Sequence, residues 1–84
     1  MAKQIKSVED LKKSIAQGHN DFYILVAGGS ARSSKWIDYD ETSGLFAITN
    51  LIDDSEQDLT EKQLMNPRIT NIGKAMALGA LIQE

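Results

Sequence analysis

The chain has 84 residues, a formal net charge of −3 at pH 7, one histidine and no cysteine. This length fits one small domain, residues 1–84, and a domain of this size buries only about 60% of the surface that its unfolded chain exposes. The absence of cysteine excludes disulfides, thiolate zinc sites and thiol nucleophiles, and one histidine cannot build a histidine metal cage.

The charged side chains are unevenly distributed along the chain. Residues 1–35 carry a net formal charge of +3, residues 36–61 carry −8 without a lysine or arginine, and residues 62–84 carry +2. An acidic protein is poorly suited to bind nucleic acid directly, because the phosphate backbone needs a basic face. The acidic centre instead suits a partner with a basic surface, although carboxylates in this number are also typical of solvated turns and helix starts.

Neither a secretion signal nor a membrane span is expected. Residues 1–13 are polar, and the longest apolar run, Phe22 to Ala27, is far shorter than the roughly 20 residues that a spanning helix needs. Together with the missing cysteines, these features predict a cytoplasmic protein that does not contact a membrane.

The first predicted element is an amphipathic helix over residues 8–17. Ser7 is a suitable residue to cap its start, and apolar side chains such as Leu11 and Ile15 recur at helical spacing. Gly18 follows as a residue that readily takes the left-handed conformation, which ends a helix.

Three strands are predicted next, over residues 22–27, 33–40 and 45–50. The nearly continuous apolar character of the first favours a central position in a sheet. The second alternates, so that Trp36 and Asp38 belong to the same face. Short connections favour antiparallel pairing, and the three strands are therefore predicted to form a meander.

The last third of the chain is predicted to be helical. Thr60 is placed to cap a short helix that ends before Pro67, and a longer helix is predicted over residues 72–82. Gly73 and Gly79 would lie inside that helix at about 1 kcal/mol each relative to alanine, so we expect it to pack closely against a neighbour. The predicted fold class is α+β, with an N-terminal helix, a three-stranded antiparallel β-meander, and a short and a longer C-terminal helix packed on one sheet face.

The segment that follows the first predicted strand has the composition of an anion-binding loop. Consecutive backbone N–H groups in a glycine turn can surround an anion, and basic side chains and serine hydroxyls add further donors. The segment lacks the residue order of a Walker loop or of a dinucleotide fingerprint, and a wide hairpin with solvated polar residues is the alternative. The candidate anion- or ligand-binding residues are Gly28, Gly29, Ser30, Arg32, Ser33, Ser34 and Lys35.

The acidic centre is a candidate docking surface for lysine and arginine residues of another protein. Spaced carboxylates on a small rigid domain can also imitate the phosphates of DNA. Trp36 is either a core or half-core anchor on the sheet or a hot spot for a partner. A calcium site is disfavoured, because residues 53–64 lack the glycine and the final glutamate of an EF-hand loop. The candidate partner-binding residues are Trp36, Asp38, Asp40, Asp53, Asp54, Glu56 and Asp58.

No set of catalytic residues is recognisable in the sequence. His19 is expected in a turn, where it is a poor base for a triad. Paired carboxylates for glycoside chemistry need a deeper cleft than a domain of this length usually has. We therefore expect no enzymatic activity, no cofactor and no metal site.

Three motifs carry a resemblance to a group of bacterial proteins. They are the run Asp21–Leu25 leading into GGxxRSSK at residues 28–35, IDDSEQxLTE at residues 52–61 and TNIGKA at residues 70–75, where x marks positions that do not carry the resemblance. With these motifs, most of the chain resembles a family of small uncharacterised proteins encoded by phages, prophages and other mobile elements of bacteria. The resemblance implies an accessory protein that works in the host cytoplasm, and it assigns no role to any single residue.

Three functional hypotheses follow. The leading one is a non-enzymatic phage or mobile-element accessory protein that binds and inhibits a host or defence protein with a basic surface, an anti-defence role. The alternative is a small-ligand binder that captures a phosphorylated metabolite or nucleotide signal at the Gly28–Lys35 loop. The third is a structural homodimer, built on a sheet edge or on the small residues Gly73, Ala77 and Ala80 of the last predicted helix.

Overall fold

The computed structural model of the chain describes residues 3–25 and 32–84, with the backbone but not the side chain of Arg32. The strands are β1 (Lys3–Gln4), β2 (Asp21–Leu25), β3 (Arg32–Asp40), β4 (Leu45–Asn50), β5 (Glu56–Leu59) and β6 (Leu81–Gln83), and the helices are α1 (Val8–Ala16), α2 (Glu61–Leu64) and α3 (Ile72–Ala77). Within these residues the strands form one antiparallel six-stranded sheet in the order β1-β6-β2-β3-β4-β5.

The predicted fold, a three-stranded meander with a long C-terminal helix, is wrong. The strands of the meander are present as β2, β3 and β4, but β5 extends the sheet on one side, and β6 and β1 extend it on the other. The prediction missed β5 because Glu56, Gln57 and Asp58 are poor strand formers. Backbone pairing with β4 forms this edge strand, and its charged side chains remain in water.

The predicted helix over residues 72–82 is interrupted. It ends at Ala77, and Gly79 takes a φ of +68°, a left-handed conformation that ends helices and is easiest for glycine. The following residues then pair with β2, where Ile82 lies opposite Tyr23. The strand β6 also pairs with β1 on its other side, so the first and last strands of the chain are neighbours in the sheet.

The predicted helix starts are confirmed by their hydrogen bonds. Ser7 Oγ accepts a hydrogen bond from the backbone N–H of Asp10 at 3.1 Å, and α1 begins at Val8, directly after Ser7. Thr60 Oγ1 accepts from the N–H of Gln63 at 3.2 Å, and Gln63 Oε1 accepts from the N–H of Thr60 at 2.9 Å. Two otherwise unpaired backbone donors are satisfied in this way, which stabilises even the single turn of α2.

One face of the sheet carries the core and the three helices of the described chain. Inward-facing strand residues, such as Phe22, Ile37 and Phe46, are fully buried. The helices contribute apolar side chains to the same cluster, namely Leu11, Leu64, Ile72, Ala75 and Met76. Because side chains alternate along a strand, every second strand residue points away from this core. No described helix packs on that opposite face, which we call the open face.

Gly73 packs inside the chain and is not part of a free surface stripe. A Cβ added there would lie 2.8 Å from Met65 Cα and 3.1 Å from Met65 Sδ, so the glycine lets α3 approach the end of α2. Ala80 lies beyond the end of α3. The helix face of Gly73, Ala77 and Ala80 that was predicted as a dimer contact is therefore not formed.

Ser14 of α1 and Ser7, the N-cap residue of α1, provide a test of this arrangement. Ser14 is buried, and its Oγ has no hydrogen-bond partner among residues 3–25 and 32–84, whereas Ser7 caps the helix. We expect Ser14→Ala to raise the free energy of unfolding by about 0.5–1 kcal/mol, because an unsatisfied buried hydroxyl is removed. Ser7→Ala should lower it by about 1 kcal/mol. Urea unfolding followed by circular dichroism measures both changes. A destabilised Ser14→Ala protein would contradict the finding that the buried Ser14 hydroxyl has no hydrogen-bond partner among the described residues.

Candidate functional site

The open face carries most of the predicted partner-binding residues. Trp36, Asp38 and Asp40 lie at alternate positions of β3, and all three belong to this face. The strand register places Asp21 of β2 on one side of Trp36 and Thr49 of β4 on the other. Directly opposed residues of neighbouring strands lie about 5 Å apart, so Trp36 has close neighbours on both sides.

The carboxylates of the open face form rows across the sheet. Glu56 lies opposite Thr49 in the row of Trp36, and Asp38, Ala47 and Asp58 form the next row. The small side chain of Ala47 leaves space between the two aspartates of that row. The acidic residues of this face are Asp21, Asp38, Asp40, Glu56 and Asp58, and all of them are exposed.

These carboxylates have no basic partner within the part of the chain that the structure describes. The single ion pair found there joins Lys12 Nζ and Glu61 Oε1 at 3.4 Å, on the side of the helices. On β3, Asp38 Oδ1 accepts a hydrogen bond from the N–H of Tyr39 at 2.8 Å. Asp40 Oδ1 accepts one from the N–H of Thr42 at 2.9 Å. Such local bonds fix the side chains and leave their charge uncompensated.

Asp53 and Asp54 lie apart from the open face, in the turn between β4 and β5. Asp54 takes a positive φ of 60°. Asp53 Oδ1 accepts a hydrogen bond from the backbone N–H of Ser55 at 2.9 Å. Hydrogen bonds from the Ser55 side chain and backbone hold the pKa of the Asp53 carboxyl below its ordinary value. These two acids therefore shape the turn between β4 and β5. The residues of the predicted acidic surface are thus divided between the open face and this turn.

Trp36 is not an anchor of the main core. It is 43% exposed on the open face, whereas its neighbours on that face, Tyr23 and Ile82, are 8% and 6% exposed. The main core instead lies on the other side of the sheet. A large aromatic side chain that is half-exposed among carboxylates is available to a partner.

The predicted anion-binding residues are not on one surface. Gly28, Gly29 and Ser30 lie outside the described residues, as does the side chain of Arg32. Ser34 belongs to the open face, opposite Tyr23. Ser33 and Lys35 belong to the helix-covered face, since neighbouring residues of a strand point to opposite sides.

Ser33 and Lys35 line a cleft of about 360 Å³ at the edge of the helix-covered face. Residues 67–71, between α2 and α3, form its opposite wall, and we call this space the cleft. Its lining residues are Ile24, Ser33, Lys35, Gln57, Pro67, Arg68, Ile69, Thr70 and Asn71.

Sequence reasoning missed residues of both surfaces. Asp21 joins the open face only because β2 and β3 pair in this register. Arg68 and Thr70 reach the cleft because residues 67–71 fold over the sheet. No local motif predicts that Asp21 joins the open face or that Arg68 and Thr70 line the cleft, since these positions depend on contacts between distant segments.

No grouping of three or more His, Cys, Asp or Glu side chains suited to a metal ion occurs in the described part of the chain. Among the same residues, no helix has the length and apolar character that crossing a membrane requires.

The assigned position of Trp36 predicts a modest effect on stability. Trp36→Thr should lower the free energy of unfolding by about 1 kcal/mol, because threonine suits a strand and the site is half-exposed. Phe46→Ala, the control in the core, should cost about 3–5 kcal/mol. Urea unfolding of the two variants measures the difference. Equal losses would place Trp36 among the core residues.

Comparisons with known proteins do not extend these assignments. No protein family, no curated protein and no solved structure matches this chain significantly.

Proposed function

We propose that this chain is a non-enzymatic binding protein whose open face docks on a basic surface of another protein. The observation that carries the proposal is the position of Trp36, half-exposed on the sheet with Asp21 beside it on β2 and Asp38 next to it on the same face of β3. Tryptophan is enriched among the residues that dominate binding energy, and carboxylates around it select a basic partner.

Trp36 supplies a contact that the carboxylates alone cannot supply. Its ring offers a large apolar area and a π-face on which an arginine or lysine of the partner can lie. A cation held against the ring would also lie close to Asp21 and Asp38, because these residues are its neighbours on the face. One basic side chain can therefore contact the ring and a carboxylate together.

The charge of the open face favours rapid and selective association. Five carboxylates without a basic partner among the described residues produce a negative potential that attracts basic surfaces and repels acidic ones. Such attraction mainly accelerates encounter, and salt weakens it, because the Debye length is about 10 Å at 0.1 M ionic strength. Rows of carboxylates with strand spacing also suit a protein groove that normally receives the phosphates of nucleic acid.

The motifs of residues 28–35, 52–61 and 70–75 supply the biological setting of the proposal. Their resemblance to proteins of phages and other mobile elements favours a partner in the bacterial host, and occlusion of a host or defence protein would make the chain an inhibitor. In that setting the protein works in the cytoplasm, and it contacts neither membrane nor nucleic acid directly.

The test compares two triple variants that remove the same number of carboxylates. The first neutralises the open face with Asp38→Asn, Glu56→Gln and Asp58→Asn. The control neutralises carboxylates in the turns at the two ends of β4, which we call the hairpin ends, with Glu41→Gln, Asp53→Asn and Asp54→Asn. Tagged proteins are incubated with lysate of a bacterial host, and bound proteins are identified by mass spectrometry.

We expect the open-face variant to lose at least about 90% of a specifically recovered protein, because several charge-assisted contacts are removed. Trp36→Thr should lose the same protein, and the control variant should retain it. Recovery that is equal for all variants would contradict the proposal. Loss with the control variant alone would move the docking surface to the hairpin ends.

A further inference from the structure

The cleft on the helix-covered face concentrates positive charge in an acidic protein. The chain has three more acidic than basic side chains, yet the described residues of the lining include Lys35 and Arg68 and no carboxylate. Lys35 comes from β3, whereas Arg68 comes from the loop on the opposite wall. Within residues 3–25 and 32–84, neither side chain has a carboxylate oxygen within 4.0 Å. Both cations are thus available to an anion that enters between them.

We propose that this cleft binds a small organic phosphate, with the phosphate group between Lys35 and Arg68. A phosphate monoester carries close to two negative charges at pH 7, which matches the two cations. Ser33 and Thr70 add hydroxyls, and Asn71 and Gln57 add amide donors. Charge-assisted hydrogen bonds of this kind are stronger than neutral ones.

Hydrogen bonds fix the backbone of both walls before a ligand arrives. Ser33 and Lys35 are two positions apart in a paired strand, so their side chains project from the same face about 7 Å apart. On the other wall, Asn66 organises the loop. Its Oδ1 accepts a hydrogen bond from the N–H of Arg68 at 2.9 Å, and its backbone carbonyl accepts from the N–H of Ile69 at 3.0 Å. Little backbone ordering is then required on binding, which favours affinity.

The remaining lining residues indicate the size and character of the ligand. The volume of about 360 Å³ lies at the lower end of the range for small-molecule sites, about 300–1,000 Å³. Ile24, Pro67 and Ile69 offer apolar contact for a carbon body attached to the phosphate. None of the described residues that line the cleft is aromatic, so they offer a nucleotide base no ring to stack on.

Asp53 is the carboxylate that competes for Lys35. The pKa of the Asp53 carboxyl is lowered mainly by hydrogen bonds from Ser55, and desolvation opposes this effect. The positive charge of Lys35 also lowers this pKa, to a smaller extent. Asp53 itself does not line the cleft. Its charge can reduce phosphate affinity, and Asp53→Asn should therefore strengthen binding by about twofold.

The experiment is a titration of the ¹⁵N-labelled chain followed by amide chemical shifts at constant ionic strength. The probes are inorganic phosphate, phenyl phosphate as a phosphate with an organic body, and acetate as a carboxylate. We expect shifts concentrated at residues 33–35 and 66–71, with millimolar dissociation constants. Phenyl phosphate should bind at least about threefold more tightly than inorganic phosphate, because its ring contacts the apolar lining.

The variants Lys35→Gln and Arg68→Gln should each weaken phenyl phosphate binding by about fivefold or more, since each removes a charged donor. Lys13→Gln, which removes an exposed lysine of α1, should leave it within about twofold. If Lys35→Gln perturbs the fold, as its own spectrum would reveal, the exposed Arg68 provides the decisive variant.

Three outcomes would overturn the proposal. They are absence of shifts at residues 33–35 and 66–71, equal shifts with acetate, and equal weakening by Lys13→Gln and Arg68→Gln. The cleft and the open face lie on opposite sides of the sheet, so none of these results bears on the docking of a partner protein.

Discussion

The structure depends on the packing of all three described helices against the same face of the six-stranded sheet. Its helices α1, α2 and α3 contain nine, four and six residues, and they pack on one face of the sheet. The core forms there, from the inward-facing residues of the strands and the apolar sides of the helices. On the other face Tyr23 and Ile82 are buried, whereas Trp36 and the five carboxylates around it are exposed and available for recognition.

The edges of the sheet show how the chain limits uncontrolled pairing. An edge strand has free backbone groups that invite another strand, and short or charged edges reduce this risk. At one edge, β1 has two residues. At the other, β5 presents Glu56 and Asp58. The acidic residues of β5 thus have two consequences, since they protect the edge and contribute to the proposed docking face.

The strand β3 connects the two candidate surfaces. Its side chains alternate, so Ser33 and Lys35 face the cleft while Ser34 and Trp36 face the opposite side. Lys35 and Trp36 are adjacent in sequence, yet their side chains lie on opposite sides of the sheet. The two proposals are physically independent for this reason, and a phosphate in the cleft would not touch a protein docked on the open face.

Local interactions explain which parts of the fold were predictable. The caps at Ser7 and Thr60 depend on residues three positions away, and the alternation of β3 is visible in its own sequence. The strands β5, β6 and β1 were missed for the opposite reason. Two to four residues carry too little periodicity, and their conformation depends on backbone hydrogen bonds with distant strands.

The sequence by itself determined the small size, the absence of cysteine chemistry, the acidic centre, α1 with its cap and the three central strands. It also identified Trp36 with its neighbouring acids, and Lys35, as candidate residues. Only the tertiary structure decided that Gly79 ends α3 and that the last residues join the sheet. It alone brought Arg68 opposite Lys35 and placed Asp21 beside Trp36, because strand register and loop packing arise from contacts between segments that are far apart in the chain.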